Sequence, residues 1–242
     1  MEPTQLLYLD DMTAETCTAI VRACHDEGGK TIVVLDQTIF YPQGGGQPFD
    51  KGTIKNDTAL FHVHEVRFFE GIAKHIGFFE NGFFKPSDKV TCIIDKERRL
   101  LMSRLHSAGH VIDIAVGKLG YDWLPGKAFH FPEGPYVEYS FPAAAALDKE
   151  ALKQTLEGAC NEIINQNMQM SVQRMPKEQL ATVCKHVPDY IPTDKPSRVV
   201  MFGSFGCPCG GTHVNSLAEI GKIVIRKIKI DGTTIRVSYQ CE

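Results

Sequence analysis

The sequence predicts an α+β protein: a mostly β domain over residues 1–94, then an α+β domain over residues 95–242. Three observations predict it. Up to about residue 95 the chain is a series of β-branched and aromatic runs separated by glycine turns. At Asp95 the character changes, and apolar residues begin to recur at spacings of three and four. Beyond that helix, helical and strand-like stretches are mixed as far as residue 242.

In the first domain, residues 30–40 (KTIVVLDQTIF), 59–69 (ALFHVHEVRFF) and 89–95 (KVTCIID) have the composition of strands. Residues 16–29 fit either a helix or a strand, and strand is preferred because Thr16, Thr18, Ile20 and Val21 are β-branched and the neighbouring runs are strands. Gly28-Gly29, Gly44-Gly45-Gly46, Gly71 and Asn81-Gly82 supply the turns. In the second domain a helix is expected over residues 96–119. Leu101, Leu105, Ala108, Ile112, Ala115 and Leu119 make one apolar stripe, Asp95 caps the start and Gly120 stops the end. A second helix is expected from Asp148 to about Met168, with Asp148 as cap and Glu150 in the first turn. A short third helix is expected over residues 177–185. Strands are expected from near Tyr136 and over residues 199–202, 220–230 and 233–239, with Asp231-Gly232 as a hairpin turn.

Bulk properties exclude several classes. Of 242 residues, 43% are hydrophobic and 23% charged, the composition of an ordinary globular chain. No apolar run approaches the roughly 20 residues that span a bilayer. The start, MEPTQLLYLDD, lacks the basic and apolar regions of a secretory signal, so the cytoplasm is the expected compartment. Eight scattered cysteines then read as free thiols or metal ligands rather than a disulfide framework. A net charge of −3 argues against coating a nucleic acid by charge alone, but not against a local basic patch.

Two pairs of residues carry metal-ligand chemistry. His106 and His110 lie four apart on the first long helix, which puts both imidazoles on one face, one turn apart. They share a polar stripe with Ser103 and Asp113, and Asp113 is placed to accept a hydrogen bond from a ligand's second ring nitrogen. Cys209 and His213 are also four apart, in FGSFGCPCGGTHVNS, where Gly210 and Gly211 allow a tight loop. Together they make a His₃Cys set of the soft and borderline donors that suit zinc. The plainer readings are satisfied histidines, or a structural zinc clip. Cys207 could replace Cys209, pair with it as a redox thiol, or do neither. Cys209 is preferred because the glycines follow it directly. Four candidate ligands leave open whether the site is closed or keeps a position for water.

Other residues stand out. Gly44, Gly45 and Gly46, beside Gln43, Gln47 and Asp50, form either a hairpin loop or a backbone surface that approaches a ligand. No GK[ST] follows, so this is not a phosphate loop. In residues 124–139, Lys127 could hold a phosphate and His130 could line a pocket, or the stretch could merely cap the first helix. Arg98, Arg99 and Arg104 near the histidines, and Arg226, Lys227 and Lys229 on a late strand, read as nucleic-acid backbone contacts or as solvated faces.

RLHSAGH (residues 104–110), CGGTHV (209–214) and the trailing EIG (219–221) resemble the editing domain of alanyl-tRNA synthetase. They resemble still more the AlaX family of free-standing editing proteins. FYPQGGGQPFDKG (residues 40–52) is similar to a third signature of that family, which lies in a small β-barrel domain ahead of the metal domain. The three motifs follow the family's order and spacing over nearly the whole chain, as in the medium-length type, and no aminoacylation domain is expected. The resemblance implies a small N-terminal β-barrel followed by an α+β zinc-binding editing domain. It implies hydrolysis of the ester joining a wrong amino acid to the terminal adenosine of tRNA(Ala), with serine as the chief misattached residue and glycine a second. It implies one zinc ion per chain, held by His106, His110, Cys209 and His213, with His106 and His110 essential to catalysis. Gly44, Gly45, Gly46, Gln47, Lys127 and His130 are then expected at the substrate, and Arg98, Arg99 and Arg104 at the tRNA. The expected partner is mischarged tRNA(Ala) and not a membrane. The expected state is a monomer or weak homodimer, and the expected reaction needs no ATP. Two other classes compete: a non-catalytic, zinc-stabilised RNA-binding module, and a zinc hydrolase of another small ester or amide.

Overall fold

In the computed structural model, which describes residues 1–141 and 147–242, the chain is α+β and divides into two units, Met1–Leu101 and Met102–Glu242. The first unit contains β1 (Gln5–Leu6), β2 (Thr16–Glu27), β3 (Lys30–Leu35), β4 (Gln37–Thr38), β5 (Gly52–Lys55), β6 (Leu60–Phe69), β7 (Ile72–Asn81) and β8 (Lys89–Ile94). Six of these close into a barrel in the order β2-β3-β7-β6-β5-β8, antiparallel throughout. β1 and β4 pair in parallel beside it. Alternate residues turn inward, and Val33, Leu35, Ile54, Phe61, Val63 and Val66 build the barrel core.

The run over residues 30–40 is interrupted at Asp36, whose Oδ1 accepts from the amides of Ile20 (2.7 Å) and Gln37 (2.8 Å). Two barrel strands escape composition-based reading. β5 is short, and β7 (IAKHIGFFEN) carries a glycine in mid-strand. That glycine is required. A Cβ on Gly77 would lie 1.7 Å from the His62 carbonyl oxygen, so β6 and β7 approach too closely there for any side chain.

His75 lies wholly inside the barrel unit. Its Nδ1 donates to the Val33 carbonyl at 3.0 Å, and its Nε2 accepts from the Thr38 hydroxyl at 2.8 Å. Burial lowers its pKa from 6.5 to about 4. The folded group therefore binds its proton only below about pH 4, whereas the unfolded group binds it below about 6.5. Between those values the unfolded state holds more protons, so stability falls as pH falls. The neutral ring contributes fully above 6.5, and up to about 3 kcal/mol is lost by pH 4. Denaturant midpoints measured from pH 7.5 to 4 are expected to fall more steeply for the wild type than for His75→Leu. Parallel slopes would remove His75 as the cause.

α1 (Lys96–Lys118) starts in the first unit and continues into the second. The second unit adds β9 (Leu124–Phe129), β10 (Tyr136–Ser140), α2 (Lys149–Asn165), β11 (Met170–Met175) and α3 (Lys177–Leu180). β12 (Ser197–Phe202), β13 (Phe205–Pro208), β14 (Ile223–Asp231) and β15 (Thr234–Cys241) complete it. An antiparallel sheet β14-β15-β10-β9 and a smaller sheet β11-β12-β13 result. Leu105, Ala108, Ile112 and Ala115 of α1 pack with Leu152, Leu156 and Ile163 of α2 and with Ile225 and Val237 of the larger sheet.

Asp95 caps α1, its Oδ1 accepting from the Arg98 amide at 3.0 Å. Gly120 ends it at φ +77°, and the Tyr121 amide returns to the Val116 carbonyl. The buried stripe starts at Leu105, since Leu101 is 39% exposed. Asp148 caps α2 through the amides of Glu150 and Ala151. That helix stops at Asn165, short of Met168, and Asn167 takes a left-handed φ of +50°. α3 covers four residues rather than the expected nine. Residues 217–220 form a 3₁₀ turn with Gly221 at φ +77°, so the strand expected from residue 220 begins at Ile223. β9 carries Pro125 and Gly126 and, among the described residues, pairs with β10 alone, which is why composition hides it. Among the described residues, no helix is long and apolar enough to cross a membrane.

Candidate metal centre

The helical repeat of α1 stacks His106 over His110, with ring centroids 5.2 Å apart and planes inclined by 21°. The loop after β13 brings in the other two donors. Arg198 on β12 holds that loop, its Nη1 donating to the carbonyls of Cys209 (2.5 Å) and Gly211 (3.2 Å). Two hydroxyls of α1 fasten it: Ser103 Oγ lies 2.8 Å from Thr212 Oγ1, and Ser107 Oγ accepts from the Val214 amide at 3.2 Å. The ligand atoms of His106, His110, Cys209 and His213 consequently all lie within 4.8 Å of one another.

This donor set fits a tetrahedral metal. Cys209 Sγ is 3.4 Å from both His106 Nε2 and His213 Nε2. Zinc bonds of about 2.3 Å to sulfur and 2.0–2.1 Å to nitrogen give N···S edges of about 3.5 Å. The three histidines are 3%, 8% and 4% exposed, so a bound ion would be shielded on most sides. Both ring nitrogens of His110 are buried without a hydrogen-bond partner among the described residues. A buried imidazole seldom keeps both nitrogens unsatisfied, and a cation at Nε2 resolves the deficit. Its Nδ1 faces Asp113 Oδ2 at 3.5 Å, while Asp113 Oδ1 accepts from the Tyr139 hydroxyl at 2.6 Å. His213 Nδ1 is 3.3 Å from Ser107 Oγ, which can accept its proton and leave Nε2 as the donor to a metal.

For three of the four donors the electrostatics agree with ligand duty. Burial, then the neighbouring imidazoles, push His106 well below its ordinary pKa, and burial with His110 and Arg198 does the same for His213. Both rings are therefore neutral, as ligation requires. Burial opposes ionisation of the Cys209 thiol, but His110, the Gly211 amide at 3.4 Å and Arg198 outweigh it and lower its pKa. Burial also opposes charge on His110, and there Cys207, Asp113 and Cys209 prevail and raise it. A cation held by the four donors would displace the proton from that ring. Cys207 lies on β13, outside the four-donor group.

Beside the centre, His130 is buried, stacks on His106 with centroids 4.4 Å apart, and places Nδ1 2.7 Å from the Tyr239 hydroxyl. Lys127 is exposed on β9. A cavity of about 310 Å³ opens against Cys209 and Gly210, lined also by Tyr190, Pro192, Lys195 and Pro196. Arg226, Lys227 and Lys229 lie exposed on β14.

The glycine motif and two of the arginines belong to the first unit. Gly44 and Gln47 exchange both backbone hydrogen bonds (3.2 and 2.8 Å), and the Tyr41 hydroxyl donates to the Gly44 carbonyl. Gly44 and Gly45 are exposed, Gly46 is half-buried and Gln47 is buried. Arg98 Nε donates to the Phe49 carbonyl at 2.9 Å. Arg99 is buried and pairs with the fully buried Asp50. In the second unit, Arg104 donates to the carbonyls of Ile220 and Glu242. Sequence reading passed over Ser107, Arg198 and Tyr239. Ser107 could have been found, since it follows Ser103 by one helical turn. Nothing local marks the other two.

Residues 11–98 match the family of class II (A) tRNA synthetases, and residues 197–236 match the second additional domain of threonyl and alanyl tRNA synthetases. The alanyl-tRNA editing protein AlaX-M of Methanosarcina barkeri is 31% identical over 248 residues, covering 98% of this chain and 98% of that protein. The alanine–tRNA ligase of Methanosarcina acetivorans is 30% identical over 98% of this chain. That of Methanothrix thermoacetophila is 31% identical over 86%. The chain spans only 25% and 23% of the lengths of those two ligases.

Proposed function

The chain belongs to the AlaX-M family of alanyl-tRNA editing proteins, and we propose that it hydrolyses the ester of mischarged tRNA(Ala), chiefly Ser-tRNA(Ala) and secondarily Gly-tRNA(Ala). The reaction needs no ATP and takes place in the cytoplasm. The observation that carries this reading is the convergence of His106, His110, Cys209 and His213 within 4.8 Å of one another. They would hold one zinc ion. When bound, zinc supplies a Lewis acid for the ester carbonyl and lowers the pKa of water.

The protein's own residues do the rest. The Gly211 amide is engaged by Cys209 Sγ, so the exposed Gly210 amide is the loop donor assigned to the developing oxyanion. The cavity beside Cys209 takes the terminal adenosine. Tyr190 and the two prolines offer surfaces for the base, and Lys195 offers a cation for a phosphate. Lys127 and the Nη groups of Arg98 are the further candidates for phosphate contact, because Arg99 and Arg104 are engaged within the protein. Gly44, Gly45, Gly46 and Gln47 would offer the substrate a backbone surface.

The test is deacylation of tRNA(Ala) charged with serine, glycine or alanine, with and without a chelator. Serine should leave fastest and alanine slowest. Chelation should stop the reaction and added zinc restore it. A long-lived complex with Ser-tRNA(Ala) and no hydrolysis would make the protein a binding module. Equal rates on free seryl esters would make it a general esterase.

A further inference from the structure

Gly109 stands on α1 between the two helical histidines, and the space its side chain would occupy holds a ring. A Cβ there would lie 2.5 Å from His130 Cε1, 3.2 Å from Nδ1 and 3.5 Å from Nε2. The ring cannot yield easily. His130 is 2% exposed, and its Nδ1 is 2.7 Å from Tyr239 Oη. That hydroxyl in turn donates to the Leu105 carbonyl at 2.9 Å. A phenol has one hydrogen, and a carbonyl can only accept. With that hydrogen on Leu105, Tyr239 Oη must accept from His130 Nδ1–H, which fixes both the tautomer and the orientation of the imidazole. Held so, the ring lies nearly flat on His106, at 4.4 Å and 22°.

These contacts form a closed circuit. It leaves the backbone of α1 at Leu105, passes through Tyr239 of β15 and then His130, and returns to α1 on the face of His106, the next residue. Only a glycine at position 109 leaves it room.

We propose that His130 is a positioning residue of the metal centre: it holds the His106 imidazole in its ligating orientation, and Gly109 is glycine so that His130 can enter. The inference rests on the four-donor metal reading, not on the identity of the tRNA or amino acid. Outer partners that hold a ligand by hydrogen bonds typically change metal affinity 10- to 100-fold when removed, and a ring that holds the ligand by stacking is expected to act on the same scale.

The test reads zinc affinity, by competition with a chromophoric chelator, and the visible spectrum of the cobalt-substituted protein. His130→Ala should weaken zinc binding about 10- to 100-fold and alter the cobalt bands. Tyr239→Phe, which removes only the hydroxyl, should act in the same direction to a smaller extent. Gly109→Ala should weaken binding in the wild-type background and have no further effect in His130→Ala, where the ring is gone. The proposal is overturned if His130→Ala binds zinc within twofold of wild type, or if Gly109→Ala costs as much with His130 absent as with it present. If Gly109→Ala does not fold, His130→Ala and Tyr239→Phe decide alone. A wild-type chain that binds no zinc would instead overturn the four-donor reading. Absence of deacylation with zinc affinity intact would overturn only the choice of substrate.

Discussion

Replacing His106 or Cys209 with alanine is expected to abolish tight zinc binding and reduce deacylation of Ser-tRNA(Ala) by about a thousandfold or more. A metal that stabilises transition-state charge is worth several kcal/mol, and each 1.36 kcal/mol is tenfold in rate. Cys209 Sγ is the hub of the cluster, 3.4 Å from two imidazole nitrogens, so its loss removes the soft donor and the anion together. His106 touches Cys209, His110, His130 and His213. Zinc content by atomic absorption and single-turnover deacylation should fall together. A His106→Ala protein that keeps its zinc and its rate would be incompatible with the proposed site. Loss of rate with zinc retained would move His106 from ligand to another role.

Arg99→Ala is expected to destabilise the barrel unit by about 3–5 kcal/mol, the usual effect of removing one partner of a buried ion pair. Arg99 Nε reaches both Asp50 oxygens, at 3.2 and 3.0 Å, and Nη2 reaches Oδ2. The same guanidinium donates to the carbonyls of Met12 (2.9 Å) and Ile39 (2.6 Å), and Asp50 Oδ2 also accepts from the Tyr41 amide. Without Arg99, a fully buried carboxylate has no countercharge and two carbonyls lose a donor. Arg99→Met combined with Asp50→Asn should recover much of the loss, because no uncompensated charge remains while Asn still accepts from Tyr41. Denaturant midpoints measure both. A change below about 1 kcal/mol for Arg99→Ala would mean that the pair contributes little to the fold.

Arg99 also shows where sequence reading stops. Its closeness to His106 in the chain suggests a phosphate contact. Its partner, Asp50, lies 49 positions away in a glycine-rich motif, and no local pattern announces the pairing. The metal centre was more legible, because both halves are spaced by chain geometry that a reader can count: four residues along a helix and four along a glycine loop. That the halves meet is a tertiary fact, carried by Ser103–Thr212 and Ser107–Val214 contacts. Helix ends were legible wherever a residue type marks them: a capping carboxylate at Asp95 and Asp148, and a glycine in the left-handed region at Gly120. They were misplaced at residues 165 and 180, where backbone conformation and packing decide. β7 and β9 escaped because glycine and proline depress strand propensity, while barrel closure and pairing with β10 override it.

The two halves of the metal centre also differ in when they come into existence. His110 precedes Cys209 by 99 positions. A ribosome adds about 5–20 residues per second, so the helical pair is made about 5–20 s before its partners. During that interval two imidazoles one turn apart are half a binding site. They can hold an ion only loosely and have no thiolate to discriminate among metals. Selection of the metal therefore waits until Cys209 and His213 have been made, after the barrel and α1.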